Sequence, residues 1–258
     1  MNYPTHMKLN KSALSLAFCL LCGAANIAPA TAAAAGANTF QREAIEWCDI
    51  WIPHSNEFNL PRVLLIGDSI VRAYRPEVEK RLSGKAYVAQ LSSSAFVSDP
   101  VLLAQVAMVL DANKFDVILF NNGMHGWEHP EDEYARALPV LIATIRKHAP
   151  SAKLIWANTT PLRDDSSPAA SDAPKDAASA ESGRLMTQAD VKKVSDARIR
   201  ARNTLAEQIM KRNLIPINDL YSLSAGHPEH HSDNVHFNGT GINLQADQVA
   251  DAIKKQLH

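Results

Sequence analysis

Three polar clusters, far apart in the chain, carry residue types suited to nucleophilic chemistry. Gly67-Asp68-Ser69 follows the apolar run Val63-Leu64-Leu65-Ile66 and precedes a helical pattern that starts at Ile70. A serine at that junction stands beside unpaired helix N–H groups and their partial positive charge, which favour an alkoxide-like nucleophile and the oxyanion it creates. The tripeptide alone also fits a helix cap, because Asp and Ser are both good N-caps. Asp233-Asn234-Val235-His236 lies in a loop before the last helical pattern. Three residues of separation let a turn fold the carboxylate onto the imidazole Nδ1–H, which fixes the tautomer and leaves Nε2 to take a serine proton. His227, His230 and His231 share the loop, so with Asp233 and His236 they form an alternative zinc ligand set, although no H-E-x-x-H occurs. The third cluster is Asn121-Asn122-Gly123-Met124-His125-Gly126-Trp127. Alone it fits an Asn/Gly turn; beside a nucleophile, its amides and imidazole are candidate oxyanion donors.

The elements around these clusters alternate. Strands are expected at 63–66, 85–91, 115–120, 153–157 and 214–217. Helices are expected from Ile70 to about Leu82, from Asp99-Pro100, from Pro130 to His148, from Asp190 to Asn213, and from about Gly239 to Leu257. Such alternation implies an α/β fold with a parallel sheet covered on both faces, and five strands favour the flavodoxin-like order 2-1-3-4-5. Ligands then sit beyond the carboxyl ends of the strands, which is where all three clusters fall. Residues 39–60 read as a short helix and an irregular segment, with Ala44 to Trp51 a packed helical turn that buries Cys48. Arg163 to Ser182, rich in Ala, Ser, Asp and Pro, reads as a flexible surface insertion at 163–182.

Composition limits the function classes. The 258 residues are 46% hydrophobic and 21% charged with a net charge of −1, so no basic surplus exists to neutralise nucleic-acid phosphates. Lys8 and Lys11, the apolar run Ala13 to Ala25 and the small residues Ala28 to Ala34 have the form of a signal peptide over residues 1–34, with cleavage near Ala30 or Ala34. An uncleaved anchor is the alternative, though the run is short for a membrane span. Cys19 and Cys22 are each preceded by a bulky residue, Phe18 and Leu21, which disfavours lipoprotein processing. The expected product is a single domain, 35–258, periplasmic or secreted, without stable membrane insertion. Cys48 would be its only thiol, so it has no internal disulfide.

Together the clusters resemble the SGNH hydrolases, or GDSL-type esterases, over about residues 61–257. The first block matches Gly67, Asp68 and Ser69; the last, Asp-x-x-His, matches Asp233 and His236 and leads through Phe237-Asn238-Gly239 into a final helix. The resemblance implies a three-layer α/β/α sandwich with Ser69 as nucleophile, His236 as base and Asp233 as its orienting carboxylate. It implies no metal and no organic cofactor. The middle blocks depart from the pattern. Leu91-Ser92-Ser93-Ser94-Ala95-Phe96 lacks the usual Gly, and an N–H of Ser94 or Ala95 is the candidate replacement, since any non-proline residue has one. In the third block Gly123 aligns with the family's Gly and His125 with its oxyanion-binding Asn, with Asn121 or Asn122 as substitutes. The expected oxyanion hole therefore draws on Ser69, Ala95, Gly123, His125 and Asn122, with His125 preferred as side-chain donor. The expected function is hydrolysis of a small-molecule or carbohydrate ester through an acyl-enzyme, O-acetyl groups first. The alternatives are an arylesterase, lipase or lysophospholipase, or a catalytically impaired glycan-binding or envelope-assembly relative. Trp127 and Trp51 are candidates to stack on a sugar, although burial is the commoner fate of Trp.

Overall fold

The computed structural model describes residues 40–163 and 194–257. The expected leader at 1–34 lies outside them, as does the expected insertion beyond Arg163. Six strands, β1 (Cys48–Trp51), β2 (Arg62–Gly67), β3 (Tyr87–Ser93), β4 (Val117–Phe120), β5 (Lys153–Ala157) and β6 (Ile217–Asn218), form one sheet in the order β1-β3-β2-β4-β5-β6. The helices are α1 (Ser69–Arg81), α2 (Pro100–Ala112), α3 (Glu131–His148), α4 (Asp196–Arg212), α5 (Leu220–Ala225) and α6 (Gly239–Lys254).

The central strands are buried on both sides, which is why they read as unbroken apolar runs. Alternate residues face opposite layers. Leu64, Ile66, Ile118, Phe120 and Trp156 pack with Leu102, Val106, Leu138, Leu141 and Ile209 of α2, α3 and α4. Val63, Leu65, Val117, Leu119 and Ile155 pack with Val71, Tyr74, Val78, Val249 and Ile253 of α1 and α6. At about 1.5–3 kcal/mol for each fully buried side chain, β2 and β4 are the rigid centre from which the Ser69 and His125 clusters project.

Among the five strands from β2 to β6 pairing is parallel, and their order is the expected 2-1-3-4-5. The sixth strand corrects the expectation. Cys48–Trp51 is not a helical turn but an antiparallel edge strand, Cys48 opposite Ser93 and Trp51 opposite Gln90. Without it β3 would present an open edge, and β-branched and aromatic Ile50 and Trp51 suit that cover. Cys48 is consequently exposed rather than buried. The last strand is shorter than expected. After α4, Leu214 takes φ 56° and stands 91% exposed, and Ile215 N–H returns to Met210 O. That left-handed stop consumes 214–216 and leaves Ile217–Asn218 to pair with β5.

Candidate active site

Gly67 ends β2 where a Cβ would overlap Val71 Cγ2, so the chain can fold directly into α1 only without a side chain there. Asp68 is the N-cap: its Oδ1 accepts Ile70 N–H at 2.9 Å. Capping is thus done by Asp68, and Ser69, the first residue of the helix, turns its hydroxyl elsewhere. Ser69 Oγ lies 2.9 Å from His236 Nε2.

The loop before α6 is built to hold His236. Asp233 Oδ1 accepts the N–H groups of Val235 and His236, both at 2.7 Å, and Oδ2 accepts His236 Nδ1–H at 2.8 Å. One short turn therefore occupies both carboxylate oxygens and fixes the ring. Burial works against the Asp233 charge, but the hydrogen bond and charge of His236 and the two backbone donors outweigh it, holding the carboxyl at about 2. Ser232 N–H to His236 O, at 2.8 Å, closes the loop, and Arg163 N–H to Asn234 O, at 3.0 Å, pins it to the segment after β5. Asn238 caps α6 through Thr240 N–H and Gly241 N–H.

The five-residue zinc set is not gathered around one point. Asp233 holds His236, and His236 in turn meets Ser69. His231 is buried against Phe237, its ring nitrogens facing the carbonyls of Pro228 and Pro161, and burial lowers its pKa. Among the described residues the group that could hold a metal is His227, Glu229 and His230, on the rim of the loop.

The oxyanion candidates separate into two kinds. In the second block Ser94 N–H donates to Trp47 O at 3.1 Å, and Ala95 N–H points at Ser93 Oγ at 3.2 Å, so both expected donors already have partners. Asn122 Nδ2 donates to Ala95 O at 2.9 Å and ties the second block to the third. Asn121 Nδ2 spans to Ala157 O and Thr159 Oγ1, a brace between β4 and β5. Gly123 packs where a Cβ would overlap Thr159 Oγ1. His125 is different: its Nδ1 meets the Glu43 carboxylate at 3.0 and 3.1 Å, and Glu43 also accepts Gly126 N–H at 3.1 Å.

Three residues here escaped the sequence reading: Glu43, Arg198 and Arg202. Arg202 is fully buried and donates to the carbonyls of Gly123, His125 and Gly126 at 2.7–2.9 Å. Its guanidinium lies 4.6 Å from the Trp127 ring and 5.1 Å from that of Phe96, and burial lowers its pKa to about 10. Arg198 adds bonds to the carbonyls of Trp127 and His129, both at 2.7 Å. A signal for Arg202 existed, because Ile199, Arg202, Ala206 and Ile209 share the buried stripe of α4. Trp127 is buried under these arginines, whereas Trp51 is 56% exposed on the edge strand.

No family model matches the sequence, and no curated protein matches it. Solved structures share its fold. A carbohydrate esterase family 3 protein from Talaromyces cellulolyticus aligns with TM-score 0.53 at 17% identity, covering 76% of this chain and 98% of the other. An acetyl esterase mutant solved with an acetate ion gives 0.54 at 16%, covering 76% and 98%. A lipase/acylhydrolase from Enterococcus faecalis gives 0.52 at 18%, covering 76% and 96%. The chain thus has the fold of the SGNH hydrolases, with a mixed six-stranded sheet.

Proposed function

We propose that this protein is an exported serine esterase that cleaves small carboxylic esters, O-acetyl groups of carbohydrate first, through an acyl-enzyme. The observation that carries the reading is the continuous chain Ser69 Oγ, His236 Nε2, His236 Nδ1, Asp233 Oδ2, with links of 2.9 and 2.8 Å. The half-buried Asp233 carboxylate fixes the imidazole so that Nε2 can take the Ser69 proton and later return it. His236 takes the Ser69 proton as Oγ bonds to the ester carbonyl carbon and the π pair moves onto oxygen. The tetrahedral adduct collapses, the alcohol oxygen leaves with the proton from His236, and the acyl group stays on Oγ. Water then attacks the acyl carbon and gives its proton to His236. The acid departs, and the proton returns to Ser69.

Preference for short acyl groups on carbohydrate is supported by the acetyl and carbohydrate esterases that share the fold, an analogy at the level of fold. Export, to the periplasm or medium, is supported by the signal-like composition of residues 1–34. A second reading, an impaired glycan-binding relative, is favoured only by the prior pairing of the Ser94 and Ala95 N–H groups. Turnover of p-nitrophenyl acetate separates the two. The esterase reading predicts hydrolysis that falls by at least ~10⁴-fold in Ser69→Ala. Turnover that survives this substitution excludes the serine mechanism, and wild-type protein without turnover favours the binding relative.

A further inference from the structure

The Ser94 and Ala95 N–H groups of the second block already have partners, so the burden on the third block rises. His125 stands where the family pattern puts a neutral amide donor, and its loop leaves the sheet beside the nucleophile. β2 and β4 are adjacent, Ile66 opposite Phe120, and Asn121 N–H extends the ladder to Ile66 O at 2.9 Å.

A carboxylate offers only acceptors, so the nitrogen facing Glu43 must carry a hydrogen. With Nδ1 protonated, a neutral His125 has a bare lone pair at Nε2, which would repel an oxyanion. Only the doubly protonated ring can donate from both nitrogens. We propose that His125 meets the oxyanion as an imidazolium, donating from Nε2, and that Glu43 is the positioning residue that fixes the ring and keeps it charged. The proposal rests on the esterase reading and adds to it a charged donor in place of a neutral one.

The surroundings favour that state. Burial of the ring opposes the charge, but the hydrogen bond to Glu43 and the carboxylates of Glu43, Asp68 and Glu46 outweigh it and raise the pKa. The cations nearby are directed elsewhere: Arg202 donates to the His125 carbonyl, and Arg72 lies over Trp47, which packs T-shaped against the His125 ring. The site would then hold two imidazoles with opposite duties. His236 must be neutral to accept the Ser69 proton, and His125 must be charged to hold the oxyanion. Activity would fall as pH rises through the pKa of His125 and the ring loses its charge.

Glu43 also holds Gly126 N–H, so a purely structural staple is the competing explanation. Four proteins distinguish them: wild type, Glu43→Gln, His125→Asn and the double variant, each assayed for kcat and KM on p-nitrophenyl acetate across pH. The proposal predicts that Glu43→Gln moves the alkaline fall lower by about one pH unit. At pH 8 it lowers kcat by ~10-fold or more with little change in KM. His125→Asn, which supplies a neutral donor, loses the alkaline fall, and adding Glu43→Gln then has a much smaller effect. An unmoved alkaline fall in Glu43→Gln, or an equal kcat loss from Glu43→Gln in the His125→Asn background, overturns it. Ring ¹⁵N NMR of the resting protein gives a readout independent of turnover: His125 doubly protonated at neutral pH in wild type, and titrating lower in Glu43→Gln. A neutral wild-type His125 overturns the proposal even if Ser69 proves to be the nucleophile. A protein without turnover whose His125 is nonetheless charged overturns the esterase reading and the catalytic role with it.

Discussion

Asp233 joins the chemistry of the site to its acid stability. Its folded pKa, about 2, lies below the ordinary value of 3.8. A depressed carboxyl stabilises the fold above its unfolded pKa, and that contribution is lost as pH falls from about 4 through about 2. Asp233→Asn should therefore flatten the pH dependence of the denaturant midpoint across that window, and should lower kcat by ~10²–10⁴-fold at neutral pH while the protein stays folded. Unchanged kcat would leave the carboxylate a loop staple. Ser69, Asp233 and His236 were readable from sequence because short turns fix their local geometry. Glu43 was not: it lies in an unremarkable acidic stretch, and its partner His125 comes 82 positions later.

The elements were readable wherever burial imposed a period. β2, β4 and β5 announce themselves as apolar runs, α2 begins at its Asp99-Pro100 signal, and α3 and α6 lie close to their expected bounds. What misled was chain whose conformation is set by a neighbour. Ala44 to Trp51 has no strong period of its own and becomes a strand because β3 offers an edge, while Leu214 is used up in ending α4. The loop after β4 is another such case. Gly126 takes φ 71°, and a Cβ there would overlap the Phe96 ring, so Gly126→Ala faces both a disfavoured backbone and a filled site. We expect a stability loss of about 2–4 kcal/mol, read from chemical denaturation, together with reduced turnover as the His125 loop shifts. A loss below ~0.5 kcal/mol would mean that the loop is not held as described.

At the scale of the molecule, the two helical layers serve different parts of the site. α1 and α6 flank the residues proposed for nucleophile and base, and α4 holds the loop carrying His125 through Arg198 and Arg202. Arg202 makes that second connection with bonds to the carbonyls of Gly123, His125, Gly126 and His129 and a charge enclosed by aromatic rings. Arg202→Met keeps bulk but strands buried carbonyls, so it should cost about 3–5 kcal/mol of stability, measured by denaturant titration, and it should also lower turnover at temperatures where the variant remains folded. A variant as stable as wild type would contradict the bolt-like role of this side chain. A charged residue in the apolar stripe of a helix is visible in sequence, but its purpose is not, because the carbonyls it satisfies lie more than 70 positions away.

The assignment of Ser69 as nucleophile can be checked by covalent labelling with a fluorophosphonate, the adduct being located by peptide mass spectrometry. We expect a single adduct on Ser69 in wild type, slower labelling in His236→Ala, and none in Ser69→Ala. An adduct on another residue, or no adduct on a protein that still hydrolyses acetyl esters, would contradict it.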